Sequence, residues 1–188
     1  MIFQINYKSN GKYDEYFDKN RSISSKLNHV IYEDEFIDDF LDSYGYREWV
    51  ESVKITRNYK HLRIPIICDL IRLLILYEKG GIYIDADTIF KDKMLELESN
   101  MEKYGNRNVF LDNKNLGFVR GIKHSGYLKK VLAAYKAKEL TVDKFMVYDR
   151  KLSNNHKELF LLPYDHVNRY FTHLYDHNNS TKNEDNNL

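Results

Sequence analysis

Asp85 and Asp87 stand two residues apart, directly after the short apolar run Ile82-Tyr83-Ile84. Residues i and i+2 of a strand point to one side, so an extended backbone here would present both carboxylates to a single point in space. Two like charges that close repel unless a cation or a proton lies between them. A hard divalent ion such as Mn2+ or Mg2+ takes oxygen ligands and leaves positions open for phosphate oxygens. Two solvated acidic residues at a strand end would show the same spacing, so the pair needs support from its surroundings.

Asp69 and Arg72 supply some of it. They lie three apart within Ile66, Ile67, Leu70, Ile71, Leu73, Leu74, Ile75, Leu76 and Tyr77, a segment apolar nearly all round, which reads as a helix buried on most sides. Charged residues on such a helix are rarely buried without partners. They can form an internal salt bridge, face a ligand, or do both.

The elements that must hold these groups follow from pattern. Pro65 suits a first helical turn, and Gly80-Gly81 end the helix. Ile2 to Ile5 reads as an opening strand, Val30 to Tyr32 as a second, and Lys8 to Lys26 as a polar loop with one helical turn around Tyr13 to Phe17. From Asp34, Phe36, Ile37, Phe40, Leu41 and Tyr44 recur at helical spacing, acidic residues fill the first turn, and Gly45 sits where a C-cap belongs. Asn108 to Leu111 and Phe160 to Leu162 read as strands, and Tyr127, Leu128, Val131 and Leu132 line a helix that starts near Ser125. Helices alternating with short apolar strands predict an α/β domain around a central mixed, mostly parallel sheet flanked by helices. Ligands of such sheets sit at the carboxyl ends of the strands, where Asp85 and Asp87 fall.

Composition bounds the rest. With 188 residues the chain suits one domain, expected over 1–177, followed by a polar tail over 178–188. Lys plus Arg number 29 against 28 Asp plus Glu, a net charge of +1, which excludes a surface built to neutralise many phosphates, so no nucleic-acid partner is expected. The single cysteine, Cys68, excludes a disulfide framework and a thiolate metal cluster, and its apolar neighbours suggest a buried structural thiol. No run is long enough for a membrane span, and the opening MIFQINYKSN has no basic segment followed by an apolar stretch. The expectation is a cytoplasmic protein, in the host cytoplasm if the source is viral, with the sequons at Asn20, Asn178 and Asn179 accidental.

The stretch DLIRLLILYEKGGIYIDADTIF, from Asp69 to Phe90, resembles the sugar-nucleotide site of the DXD glycosyltransferases of family 32 and their relatives, including the clostridial glucosylating toxins. The shared elements are Asp, Arg three on, an apolar helix, Gly-Gly, an apolar-Tyr-apolar strand, and Asp-x-Asp. Weaker similarity covers Ile2 to Asn10, Tyr32 to Tyr44, Asn115 to Ser125, and a closing segment around Pro163, Tyr164, His173, His177 and Ser180, where in the family a His or polar side chain reaches back to the metal.

The resemblance implies a single GT-A, Rossmann-like domain that moves a hexose from a nucleotide diphosphate sugar, UDP-linked rather than GDP-linked, to a glycan or protein acceptor with Mn2+ or Mg2+, with retention. It implies that Asp87 ligates the metal and that Asp85 holds the ribose or sugar and touches the metal. Asp69 and Arg72 would grip sugar hydroxyls, Tyr83 would support the site, Gln4 and Tyr7 would contact base or ribose, and Asn115 would hold the sugar near the acceptor. His177 is the first candidate for an extra metal ligand, His173 the second, and Arg169 and Lys182 are candidates for the diphosphate. Asp143, Asp149 or Asp165 would serve as base if the reaction inverted instead.

Two rival functions remain open. A non-catalytic sugar-nucleotide or glycan-binding domain of the same fold would keep these residues without transfer. An aspartate-nucleophile phosphatase also carries Asp-x-Asp after a strand, but near its start and followed by Thr or Val two residues on, where this chain has Ile89. Neither acceptor nor oligomeric state follows from the sequence.

Overall fold

In the computed structural model, which describes residues 1–52, 63–111, 116–136 and 157–173, helices alternate with short strands. Strand β1 (Ile2–Asn6) leads to α1 (Asp14–Ser24), and β2 (His29–Glu33) runs directly into α2 (Asp34–Ser43). Then come α3 (Arg47–Ser52), the long α4 (Arg63–Lys79), β3 (Gly81–Ile84), β4 (Thr88–Phe90) and α5 (Leu97–Glu102). Beyond them lie β5 (Asn108–Leu111), β6 (Phe118–Gly121), α6 (Gly126–Lys136), β7 (Leu159–Leu162) and β8 (Phe171–His173).

The strands form a six-stranded sheet in the order β2-β1-β3-β6-β5-β7, and β4 pairs separately with β8. β1 is parallel to both β2 and β3, β5 is parallel to β7, and β6 runs antiparallel between β3 and β5. The protein is thus α/β with a mixed, mostly parallel sheet flanked by helices, as its pattern predicts. Among the described residues, no helix is long and apolar enough to cross a membrane.

Alternation along the strands builds two cores. Phe3, Ile5, Tyr83, Phe110 and Val119 pack on one face against α2, α4 and α6; Ile2, Ile82, Ile84, Val109, Leu111 and Phe118 pack on the other with Met94, Leu97, Tyr170 and Phe171. Helix α4 contributes Leu70, Ile71, Leu73, Leu74, Ile75 and Leu76, all essentially without exposed surface. It starts two residues before Pro65 and ends where Gly80 (φ +71°) donates its N–H to the Leu76 carbonyl at 2.9 Å. Gly81 has φ +112°, and a Cβ there would lie 2.9 Å from the Met1 carbonyl oxygen, so the sharp entry into β3 needs glycine.

Several elements depart from expectation. The polar loop with a single turn is instead the 11-residue helix α1. Its inner side is interrupted by a polar residue: the fully buried Asn20 lies between the partly buried Tyr16 and Ile23, while the ion pairs Glu15–Lys19 and Asp18–Arg21 line its exposed side. β4, β6 and β8, three or four residues long, are not foreseen: unlike the equally short β3, β5 and β7, they carry Thr, Arg or His within the run and so show no continuous apolar segment. The Asp85-Ala86-Asp87 stretch is also not extended strand: β3 stops at Ile84, and Ala86 and Asp87 form a turn into β4.

Candidate active site

The turn that carries the two aspartates is held from beneath. Thr88 Oγ1 donates to the Asp85 carbonyl at 2.7 Å, and Gln4 Nε2 donates to the same oxygen at 2.8 Å. Gln4 shares the sheet face of Ile2, is completely buried, and accepts from His29 Nε2 at 3.0 Å through its Oε1. Its carboxamide is therefore engaged with the protein at both ends. The Asp85 N–H donates to Gly117 O at 2.9 Å, which ties the turn to the residue preceding β6.

Above this support the Asp85 carboxylate gathers three side chains. Its Oδ1 accepts from Tyr83 Oη at 2.8 Å and pairs with an Arg72 terminal nitrogen at 3.0 Å; its Oδ2 lies 3.1 Å from His173 Nε2. The same His173 nitrogen is 3.1 Å from Asp87 Oδ1. Arg72 also reaches Asp69 Oδ1 at 2.7 Å, donates to Leu116 O at 2.7 Å, and stacks 4.2 Å from the Tyr83 ring centroid. The internal salt bridge considered for Asp69 and Arg72 is therefore present, and it extends to Asp85. Arg72 has 8% of its side-chain surface exposed, against 25% for Asp69, 20% for Asp85 and 29% for Asp87, so the cation is sealed in and the carboxylates open outward.

Titration follows the geometry. Burial works to raise the Asp85 carboxyl, but Arg72, then the contacts with His173 and Tyr83, outweigh it and bring it down to about 2. Burial pushes Asp69 up to about 6, against the opposing charge of Arg72 and with a further push from Asp85. Burial disfavours charged His173, yet its hydrogen bonds to Asp85 and Asp87 and their charges overcome this and lift it to about 10. Burial raises the Tyr13 phenol, Lys12 opposes, and the charge of Asp87 adds to the rise.

Ligand atoms of Asp85, Asp87 and His173 all lie within 4.8 Å of one another. Two carboxylate oxygens and an imidazole nitrogen suit Mn2+ and tolerate Mg2+, which prefers oxygen. The group fits a divalent cation on donor chemistry and on spacing.

The structure thus brings together Asp69, Arg72, Tyr83, Asp85 and Asp87, all named from sequence, and adds His173, the second of the two histidine candidates. His177 and Asn115 lie outside the described residues, as do Asp143, Asp149 and Lys182. Tyr7 is buried with the Lys8 ammonium 4.8 Å from its ring centroid. Asp165 and Arg169 are exposed, and Arg169 Nε donates to His166 O at 2.9 Å. Cys68 is a partly buried thiol pushed up to about 12, chiefly by burial, which fits a structural role. Residues that sequence reasoning misses are Thr88 and Asn20; the latter shows in the sequence only as a sequon and proves to be buried, with its amide bonded within the protein.

Residues 10–110, more than half of the chain, match the family model described as a glycosyltransferase sugar-binding region containing a DXD motif. No curated protein and no solved structure matches the chain.

Proposed function

The chain belongs to this family of glycosyltransferase sugar-binding domains, and we propose that it is a metal-dependent hexosyltransferase of the family 32 type, akin to the clostridial glucosylating toxins. In this reading a single GT-A domain over 1–177 takes a nucleotide diphosphate sugar, UDP-linked rather than GDP-linked, and transfers the hexose to a glycan or protein acceptor with retention. The observation that carries it is the convergence of His173 on Asp85 and Asp87 beside Arg72.

The roles follow from what each side chain offers. Asp87, Asp85 and His173 hold Mn2+ or Mg2+, with His177 a further candidate ligand. When bound, the cation supplies positive charge that neutralises the departing diphosphate. Asp69, with its carboxylate open to the site, accepts from donor-sugar hydroxyls, and Arg72 fixes its orientation. Tyr83 and Arg72 lock one oxygen of Asp85 and leave the other for His173 and the ligand. Gln4 holds the turn from below, Tyr7 borders the base or ribose, and Asn115 holds the sugar on the acceptor side. The anomeric carbon exchanges its bond to phosphate oxygen for a bond to an acceptor hydroxyl, whose proton leaves on the diphosphate.

A thermal-shift panel of UDP, GDP and their sugars, with and without Mn2+, on wild type and Asp87→Asn tests this. A ligand at 100 times its dissociation constant adds about 2.7 kcal/mol, which is roughly 5 to 10 °C for a domain of this size. A Mn2+-dependent rise for one nucleotide, absent in the variant, is expected. No rise with any nucleotide at millimolar concentration would sink the reading. Slow release of free sugar from the stabilising donor then separates a transferase from a domain that binds without transfer.

A further inference from the structure

We infer that Asn20 is a positioning residue for this site: its carboxamide takes the place of a third strand on the outer edge of β4 and fixes the register that holds His173 against Asp85 and Asp87. The inference rests on reading those three residues as metal ligands.

Asn20 lies in α1 with 1% of its surface exposed. Its Nδ2 donates to the Thr88 carbonyl at 2.8 Å, and its Oδ1 accepts from the Phe90 N–H at 2.7 Å. A carbonyl at i and an N–H at i+2 on one strand edge are what a single residue of a parallel neighbour would bind. The side chain therefore imitates a backbone amide. It spends its donor and its acceptor on β4, so its effect on any ligand is indirect.

The opposite edge of β4 pairs with β8, with Thr88 across from His173, Ile89 from Thr172, and Phe90 from Phe171. A two-stranded ladder of three residues a side is marginal by itself. A slip of one residue would turn His173 to the other face. β4 also begins immediately after Asp87, so one clamp on its outer edge governs both the end of the aspartate turn and the strand opposite His173. Gln4 secures the turn through the Asp85 carbonyl, and Asn20 secures the register.

The test titrates Mn2+ alone, by calorimetry, into the full chain carrying wild-type sequence, Asn20→Ala, Asn20→Asp, or the core change Ile75→Val on the other face of the sheet, below every melting point. Loss of an outer partner typically weakens metal affinity by roughly 10- to 100-fold. Asn20→Ala is expected to raise the Mn2+ dissociation constant about tenfold or more, while Ile75→Val, which loosens the core without touching β4, leaves it unchanged. Asn20→Asp keeps an acceptor for Phe90 but loses the donor to Thr88, so it must weaken binding as well; it decides the matter if the alanine variant does not fold. Mn2+ affinity equal to wild type in a folded Asn20 variant overturns the inference. If wild type binds no Mn2+, the metal reading fails instead. The positioning role is then judged on the metal-free protein by nuclear Overhauser contacts between the His173 ring and Asp87: lost in the variant if Asn20 sets the register, retained if it does not.

Discussion

The Arg72 guanidinium stacks 4.2 Å from the ring centroid of Tyr83, and both side chains bind the same oxygen of Asp85. Arg72 also pairs with Asp69, so one buried cation joins two carboxylates from a helix and a strand end. Replacing it with methionine leaves both acids partly buried without their cation. Arg72→Met is expected to destabilise the protein by about 3 to 5 kcal/mol, measured by urea unfolding, whereas Arg72→Lys, which keeps the charge without the fork, should lose less. Equal stability of Arg72→Met and wild type would refute the structural role.

His173 Nε2 lies 3.1 Å from a carboxylate oxygen of each of Asp85 and Asp87. His173→Ala should weaken Mn2+ binding by at least the roughly 10- to 100-fold typical of losing an outer partner, with little change in the rest of the fold. Isothermal calorimetry on the folded variant reads this directly, and an unchanged affinity would remove His173 from the site.

His29, bonded to Gln4 beneath the aspartate turn, gives the protein an acid-sensitive element. Burial depresses its imidazole to about 4 in the folded protein, against about 6.5 in an unfolded chain. Below about pH 6.5 the unfolded chain takes up a proton that the folded protein refuses until near pH 4. The contribution is thus fully present above the unfolded value and is lost as pH falls toward the folded one, by at most about 1.4 kcal/mol per pH unit. The melting temperature of His29→Gln should fall less steeply over this window than that of wild type, and parallel curves would contradict the assignment.

Gly81 tests the tight entry into β3. Its φ of +112°, and the 2.9 Å that would separate an alanine Cβ from the Met1 carbonyl oxygen, make any side chain strained there. Gly81→Ala should cost about 1 to 3 kcal/mol and lower the melting point by roughly 2 to 4 °C per kcal/mol. A scanning calorimetry trace that matches wild type would show that the turn relaxes freely.

The α/β class, the buried helix α4 and most of the site are legible without coordinates, because Asp69, Arg72, Tyr83, Asp85 and Asp87 lie in one short stretch. Helix spacing sets Asp69 beside Arg72, and Gly80-Gly81 turn the chain straight into the strand that carries Tyr83. These are local relations, and local periodicity encodes them.

The remainder depends on how distant segments meet. His173 reaches Asp85 across 88 positions of sequence, through a β4–β8 pairing too short to announce itself. Of the two histidine candidates in the closing segment the sequence puts His177 ahead of His173, and strand register, a long-range property, brings His173 to the site. Helix α1 is hidden in the sequence because a buried amide, Asn20, sits in the middle of its inner side beside the partly buried Ile23, and a polar residue bonded to a distant backbone looks there like any exposed one. Gln4 likewise shows its part only when the strands are assembled, since its partners lie on β2, on β4 and in the turn between β3 and β4.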